Sequence, residues 1–122
     1  MLKNKLALAV LILSAMVISA CSPKTGEYDA FAKCLTESGV IMYGTEWCPH
    51  CKDQKALFGK SFQYVNYVDC DRQRQACIEA GVQGYPTWDI EGKLYSGTQP
   101  LFRLSSLSGC SVSPEEGSNL TQ

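Results

Sequence analysis

Cys48 and Cys51 stand two residues apart in Glu46-Trp47-Cys48-Pro49-His50-Cys51-Lys52, a spacing at which two thiols on one helical turn make and break a disulfide. A disulfide is attacked by a thiolate, not by a thiol, so one member of the pair must be ionised and exposed. The apolar run Val40 to Tyr43 enters this stretch. A helix is expected to leave it, starting at or beside Cys48 with Pro49 in its first turn, where a missing N–H costs nothing. The unpaired N–H groups and partial positive charge of a helix start favour an anion there. Cys48 is thus the expected nucleophile, and Cys51, one turn further in and more buried, the expected resolving thiol. Pro49 and His50 tune the couple: a histidine near the Cys48 sulfur stabilises the thiolate and hence the reduced form, which makes the disulfide a stronger oxidant. Other uses of the pair fit poorly. Covalent haem attachment needs His directly after the second cysteine, where Lys52 stands. Zinc needs a second close ligand pair, and Cys70 and Cys77 are too widely spaced for one. No metal or other cofactor is expected.

The elements that must position the pair follow from periodicity and from breakers. Asp29 is a plausible helix cap; Phe31, Cys34 and Leu35 share a face, and Gly39 is a stop. Val40 to Tyr43 reads as a buried strand, and the helix from Cys48 runs through Phe58 to Gly59. Tyr64 to Asp69 reads as a second strand. Asp71 can cap a third helix, Arg72 to Ala80, closed by Gly81. Trp88 to Ile90 and Lys93 to Tyr95, around Glu91-Gly92, read as a hairpin. Pro100 opens a fourth helix that buries Leu101, Leu104 and Leu107 and ends at Gly109. A βαβ unit followed by a hairpin predicts a mixed sheet flanked by helices, an α/β fold.

Composition limits the setting. The 122 residues, 45% of them hydrophobic, suit one domain. A net charge of -1 with no basic stripe argues against nucleic acid as a partner. Seven cysteines point to an oxidising compartment. At the N-terminus, Lys3 and Lys5 precede an apolar run from Leu6 to Ile18, shorter than the roughly 20 residues of a spanning helix, so residues 1–20 read as an export signal. Its end, Ile18-Ser19-Ala20-Cys21, resembles the bacterial lipobox, which implies lipidation of Cys21 and an anchor that does not span the membrane. Residues 22–27 read as a linker reaching only about 20 Å. The domain is expected over residues 28–110, and residues 111–122 read as a disordered polar tail. An ordinary cleaved signal, with Cys21 left as a framework cysteine, is the other reading.

Trp47-Cys48-Pro49-His50-Cys51 followed by Tyr85-Pro86-Thr87 resembles the thioredoxin superfamily. The resemblance runs from about Phe31 to Cys110. It implies a thioredoxin-like fold in which Pro86 is cis and the Tyr85 backbone faces the redox pair and pairs with an extended substrate segment. Read alone, Pro86 serves equally well as a trans residue at the start of an edge strand. Trp47, Tyr85 and Pro86 are the expected substrate-binding residues; Trp88 reads as core. More narrowly, Tyr43 to Lys55 with Leu57-Phe58-Gly59 and Gly84-Tyr85-Pro86-Thr87-Trp88 resembles the thioredoxin-like domain attached to bacterial vitamin K epoxide reductase homologues. Cys-Pro-His-Cys is also the pattern of the DsbA-type periplasmic oxidants. One departure matters. Thioredoxins carry a buried aspartate where this chain has Met42, so the proton of Cys51 needs another route: Glu46, water or the substrate thiolate.

Four cysteines remain. Cys70 and Cys77 can close a small loop, or form a second redox pair that relays electrons to Cys48 and Cys51; Cys34 and Cys110 are then left to each other, by elimination. The resemblance implies first and last helices on opposite faces of the sheet, which would send that second bridge around an edge. Together these readings predict a thiol-disulfide oxidoreductase of the bacterial cell envelope, lipid-anchored and facing the periplasm or exterior. It would oxidise the thiols of exported proteins and be reoxidised by a quinone-linked membrane enzyme of the vitamin K epoxide reductase type. A reductase or isomerase, and a non-catalytic binding module on the same fold, are the alternatives.

Overall fold

The short apolar run Ile41 to Tyr43 forms an inner strand of a four-stranded sheet. The computed structural model describes residues 25–114. Its elements are α1 (Asp29–Glu37), β1 (Ile41–Gly44), α2 (Pro49–Phe58), a 3-10 helix (Gly59–Tyr64), β2 (Tyr67–Asp69), α3 (Arg74–Ala80), β3 (Thr87–Ile90), β4 (Lys93–Ser96) and α4 (Leu101–Ser108). The strand order is β2-β1-β3-β4, with β1 parallel to β2 and antiparallel to β3. The sheet is therefore mixed and flanked by helices, as expected. Residues 1–20, expected as an export signal, Cys21, residues 22–24 and residues 115–122 lie outside the described residues.

Register decides which side chains meet which helix. Met42 lies opposite Tyr67 on one side and Trp88 on the other, so these three share a face. That face carries the larger core, in which Phe31, Ala32 and Leu35 of α1, Phe58 of α2 and Leu104 of α4 pack with Met42, Trp88 and Ile90. Phe58 stacks on Phe31 at 5.9 Å between ring centroids and lies 6.0 Å from Trp88. Tyr43, one residue out of phase, faces the other way and joins a smaller cluster with Cys70 and Cys77, against which Ile41, Val68, Ala80 and Val82 pack. The first and last helices thus pack on the same face, not on opposite ones. A disulfide joins Cys34 of α1 to Cys110, just past α4, without rounding any edge (Cα–Cα 5.9 Å). A second joins Cys70 to Cys77 (Cα–Cα 5.8 Å).

Several local expectations change. Tyr28, not Asp29, occupies the cap position of α1. The Asp29 carboxylate instead accepts a hydrogen bond from the Gly26 N–H at 3.0 Å. Gly26, expected in a linker, is packed so tightly against Ser61 that a side chain has no room, while the Tyr28 N–H donates to Ser61 Oγ at 2.8 Å. Tyr64 belongs to the 3-10 helix, not to a strand. Phe62 holds that turn between Phe58 and Tyr67 in edge-on ring contacts, and Thr36 Oγ1 bridges the Tyr64 carbonyl and the Asn66 N–H. Asp71 caps nothing: α3 starts at Arg74 after Gln73. Gly81 and Gly109 close α3 and α4 in the left-handed region, with φ of 80° and 77°.

Candidate redox site

Cys48 is the cap residue of α2, with extended backbone (φ -71°, ψ 119°) and Pro49 as the first helical residue. Its sulfur accepts the Cys51 N–H at 3.3 Å, which satisfies one of the free donors of the helix start. On its other side the sulfur lies 3.6 Å from the Tyr85 carbonyl oxygen, to which the thiol donates. The Tyr85-Pro86 peptide bond is cis. Both cysteines of the pair are free thiols. Contrary to the expectation of an exposed nucleophile, Cys48 is only 5% exposed. The Tyr85 carbonyl on one side and the helix start on the other enclose it, so an incoming sulfur must approach along the edge that these two leave.

Cys51 is fully buried. It lies over Gly44, where a Cβ would come within 2.8 Å of the Cys51 sulfur and 3.2 Å of the Tyr67 ring. The lack of a side chain at Gly44 is what lets α2 settle on the sheet at this point. Burial pushes the Cys51 thiol up to about 12, and the Cys48 sulfur adds to the rise; the Thr45 backbone and the Lys55 charge oppose it. Met42, in the place of the thioredoxin aspartate, is fully buried core.

The remaining expected residues divide. Trp47 is 63% exposed, with its ring edge-on to Tyr85 at 6.2 Å and its indole N–H donating to Asp71 Oδ2 at 2.9 Å. It forms the rim of the site together with Tyr85. The His50 ring points outward, 3.8 Å from the Asp53 carboxylate with both side chains mostly exposed; among the described residues it has no hydrogen bond to either sulfur. Its carbonyl accepts from Thr98 Oγ1 at 3.2 Å, which ties the motif to the loop before α4. Trp88 is core, and fully buried.

Gln54 is a structural residue of the site that the sequence reading left out. It is fully buried one turn beyond Cys51. Its Oε1 accepts the Trp88 indole N–H at 3.0 Å and the Gln99 N–H at 2.6 Å, and its Nε2 donates to the Gln99 carbonyl at 2.9 Å. These bonds fasten α2 to β3 and to the approach of α4. A polar residue on the same helical face as Cys51 and Phe58 was the available signal.

A reducible pair at the start of a helix, on a mixed sheet and facing a cis-proline loop, defines a thioredoxin-fold protein. The thioredoxin family model matches residues 22–100, and the chain belongs to the thioredoxin family. Over 102 residues it is 36% identical to a thiol-disulfide oxidoreductase, LTO1, of Arabidopsis thaliana, a match covering 76% of this chain and 27% of that protein. It is 30% identical over 95 residues to the protein disulfide isomerase-like 2-2 of Oryza sativa subsp. japonica, covering 66% of this chain and 24% of that one. The solved structure of Fasciola hepatica thioredoxin is similar at 21% identity with a TM-score of 0.42, covering 65% of this chain and 89% of that one. The chain spans about a quarter of the length of the curated relatives it matches.

Proposed function

We propose that this protein is a thiol-disulfide oxidoreductase that oxidises the thiols of exported proteins through Cys48 and Cys51. The observation that carries the reading is the placement of the two sulfurs: Cys48 at the α2 cap beside the Tyr85 carbonyl, and Cys51 behind it in the core. In the oxidised protein a substrate thiolate attacks the Cys48 sulfur of the Cys48–Cys51 disulfide, and Cys51 leaves with the bonding electron pair. The second substrate thiolate then attacks the substrate sulfur of the mixed disulfide and Cys48 leaves. The substrate loses two electrons and the active pair gains them.

The edge between Trp47 and Tyr85 suits an extended peptide that pairs with the Tyr85 backbone. Cys21 carries the lipid that holds the domain at an envelope membrane on the periplasmic or outer side. A quinone-linked membrane enzyme of the vitamin K epoxide reductase type returns the pair to its disulfide. Replacing Cys51 with Ser leaves Cys48 able to attack a client disulfide but unable to release it, so Cys48-linked client proteins should accumulate; their absence would leave only a non-catalytic binding module. Direction is tested by the reduction potential of the pair, which should be more oxidising than that of thioredoxin. A value near or below thioredoxin's would make the protein a reductase.

A further inference from the structure

The family's buried aspartate is replaced by Met42, yet Cys51 must carry a negative charge at some point in either direction of turnover. Lys55 stands four residues after Cys51 on α2, so its side chain rises from the same face of the helix. Only 23% of that side chain is exposed. The ammonium lies 2.8 Å from Glu46 Oε1, 4.1 Å from the centre of the Tyr67 ring and 5.4 Å from that of Phe62. Tyr67 is the residue whose ring borders the Gly44 gap occupied by the Cys51 sulfur. Three elements therefore hold one cation beside the resolving thiol: the β1–α2 loop through Glu46, the 3-10 helix through Phe62 and β2 through Tyr67.

We propose that Lys55, held in place by Glu46 and Tyr67, is the positioning residue that stabilises the Cys51 thiolate in place of the missing aspartate. The inference rests on the redox role proposed above and assigns it a second charge centre. When Cys51 resolves a mixed disulfide, its proton passes to solvent and its thiolate attacks the Cys48 sulfur. The Cys48–Cys51 bond forms, the Cys48–substrate bond breaks, and the electron pair leaves with the substrate thiolate, which takes up a proton. In the oxidising direction Cys51 is the leaving group and carries the same charge. A cation beside it lowers the barrier both ways. The charged and titratable groups acting on Cys51 and on this cation are Cys48 and Lys55 of α2, Glu46 of the loop, and Tyr67 and Asp69 of β2. Glu46 is held below the usual carboxylate range, chiefly by its hydrogen bond from Lys55, and so stays charged at neutral pH. Burial raises the Tyr67 phenol, as do the charges of Glu46 and Asp69, so it stays neutral and acts as a wall.

The test is stopped-flow reaction of the full chain, with only the active pair reduced, with 5,5′-dithiobis(2-nitrobenzoate). Attack by Cys48 releases one nitrothiobenzoate, and resolution by Cys51 releases the second. In Lys55→Met, which keeps the apolar contacts with both rings, the first release should keep its rate. The second should slow about tenfold at neutral pH, with its pH midpoint about one unit higher. Lys55→Arg should restore most of the rate, and Glu46→Gln should give an intermediate shift. A second release with the same rate and pH midpoint in wild type and Lys55→Met would overturn the role of Lys55 and leave the redox reading intact. A wild type without any second release would overturn both. If Lys55→Met does not fold, Glu46→Gln decides: an unchanged pH midpoint there overturns the proposal.

Discussion

Two cysteine pairs, each closely spaced in sequence, lie on opposite faces of one sheet, one as free thiols and the other as a disulfide. Cys48 caps α2, with its sulfur bonded to a backbone N–H and close to the Tyr85 carbonyl, and Cys51 follows within the first turn. Cys70 lies ahead of α3, which starts at Arg74 after Gln73, and Cys77 lies inside that helix; they are joined in a small apolar cluster. Both pairs are closely spaced in sequence, and the cysteines of both are buried. What separates them is the surroundings of the sulfurs. The first pair meets the polar end of a helix and the carbonyl of the Tyr85 loop. The second packs with Tyr43, Val68, Val82 and Tyr85, and its sulfurs are joined within that apolar cluster. Spacing permits exchange chemistry; what sets Cys48 apart is that its sulfur meets a helix-start N–H and the Tyr85 carbonyl.

The contrast can be broken by experiment, and activity is where it should be widest. Cys48→Ser should lower dithiol oxidation by about four orders of magnitude, while the paired Cys70→Ser/Cys77→Ser variant should stay within a few-fold of wild type. A large loss in the second variant would restore the electron-relay reading of Cys70 and Cys77. In chemical denaturation that same double variant should lose about 2.5 kcal/mol, the loop-closure value for so short a ring, with Cys48→Ser nearly neutral. Gly44→Ala should cost about 2 kcal/mol, because the added methyl meets the Cys51 sulfur at 2.8 Å and must displace α2. No such gap lies under the second pair among the described residues.

The smallest effect concerns pH. With the active pair reduced, the folded protein holds the Cys51 proton up to about 12, against 9.0 for the free group. The folded state therefore binds more protons than the unfolded one between those values. The associated stability is present below about pH 9 and is lost as pH rises toward 12. Denaturation midpoints of the reduced protein between pH 8 and 10.5 should fall more steeply than those of Cys51→Ala, by at most about 1.4 kcal/mol per pH unit. Parallel trends would show that the buried tyrosines, not Cys51, set the slope.

Most of the element order was readable from the chain, because its signals are local. Pro49 after Cys48, Gly81 and Gly109 after apolar-periodic runs, and Glu91-Gly92 between two short strands each act within one turn. What escaped depends on distant partners. Asp71 has the composition of a helix cap, but the Trp47 indole claims it. Gln54 reads as a surface residue until Trp88 and Gln99 are seen to meet it. Tyr64 has strand propensity, but the ring packing of Phe62 keeps the chain in a 3-10 turn. The placement of α1 with α4 on one face was equally hidden, since helical periodicity gives the buried side of a helix and not the side of the sheet it covers. At the site, the motif was legible to the residue, whereas the enclosure of Cys48 and the outward turn of His50 depend on the facing loop and on Asp53.

The Cys34–Cys110 bridge also has a mechanical side. It joins residues 76 positions apart that lie near the two ends of the described chain. A pull on those ends is transmitted through α1 directly into the sulfur–sulfur bond and out at Cys110, so the sheet, α2 and the reducible pair stay off the load path. Tension applied at the two ends would lengthen only the residues outside this ring, and the sheet and the Cys48/Cys51 pair inside it would keep their geometry.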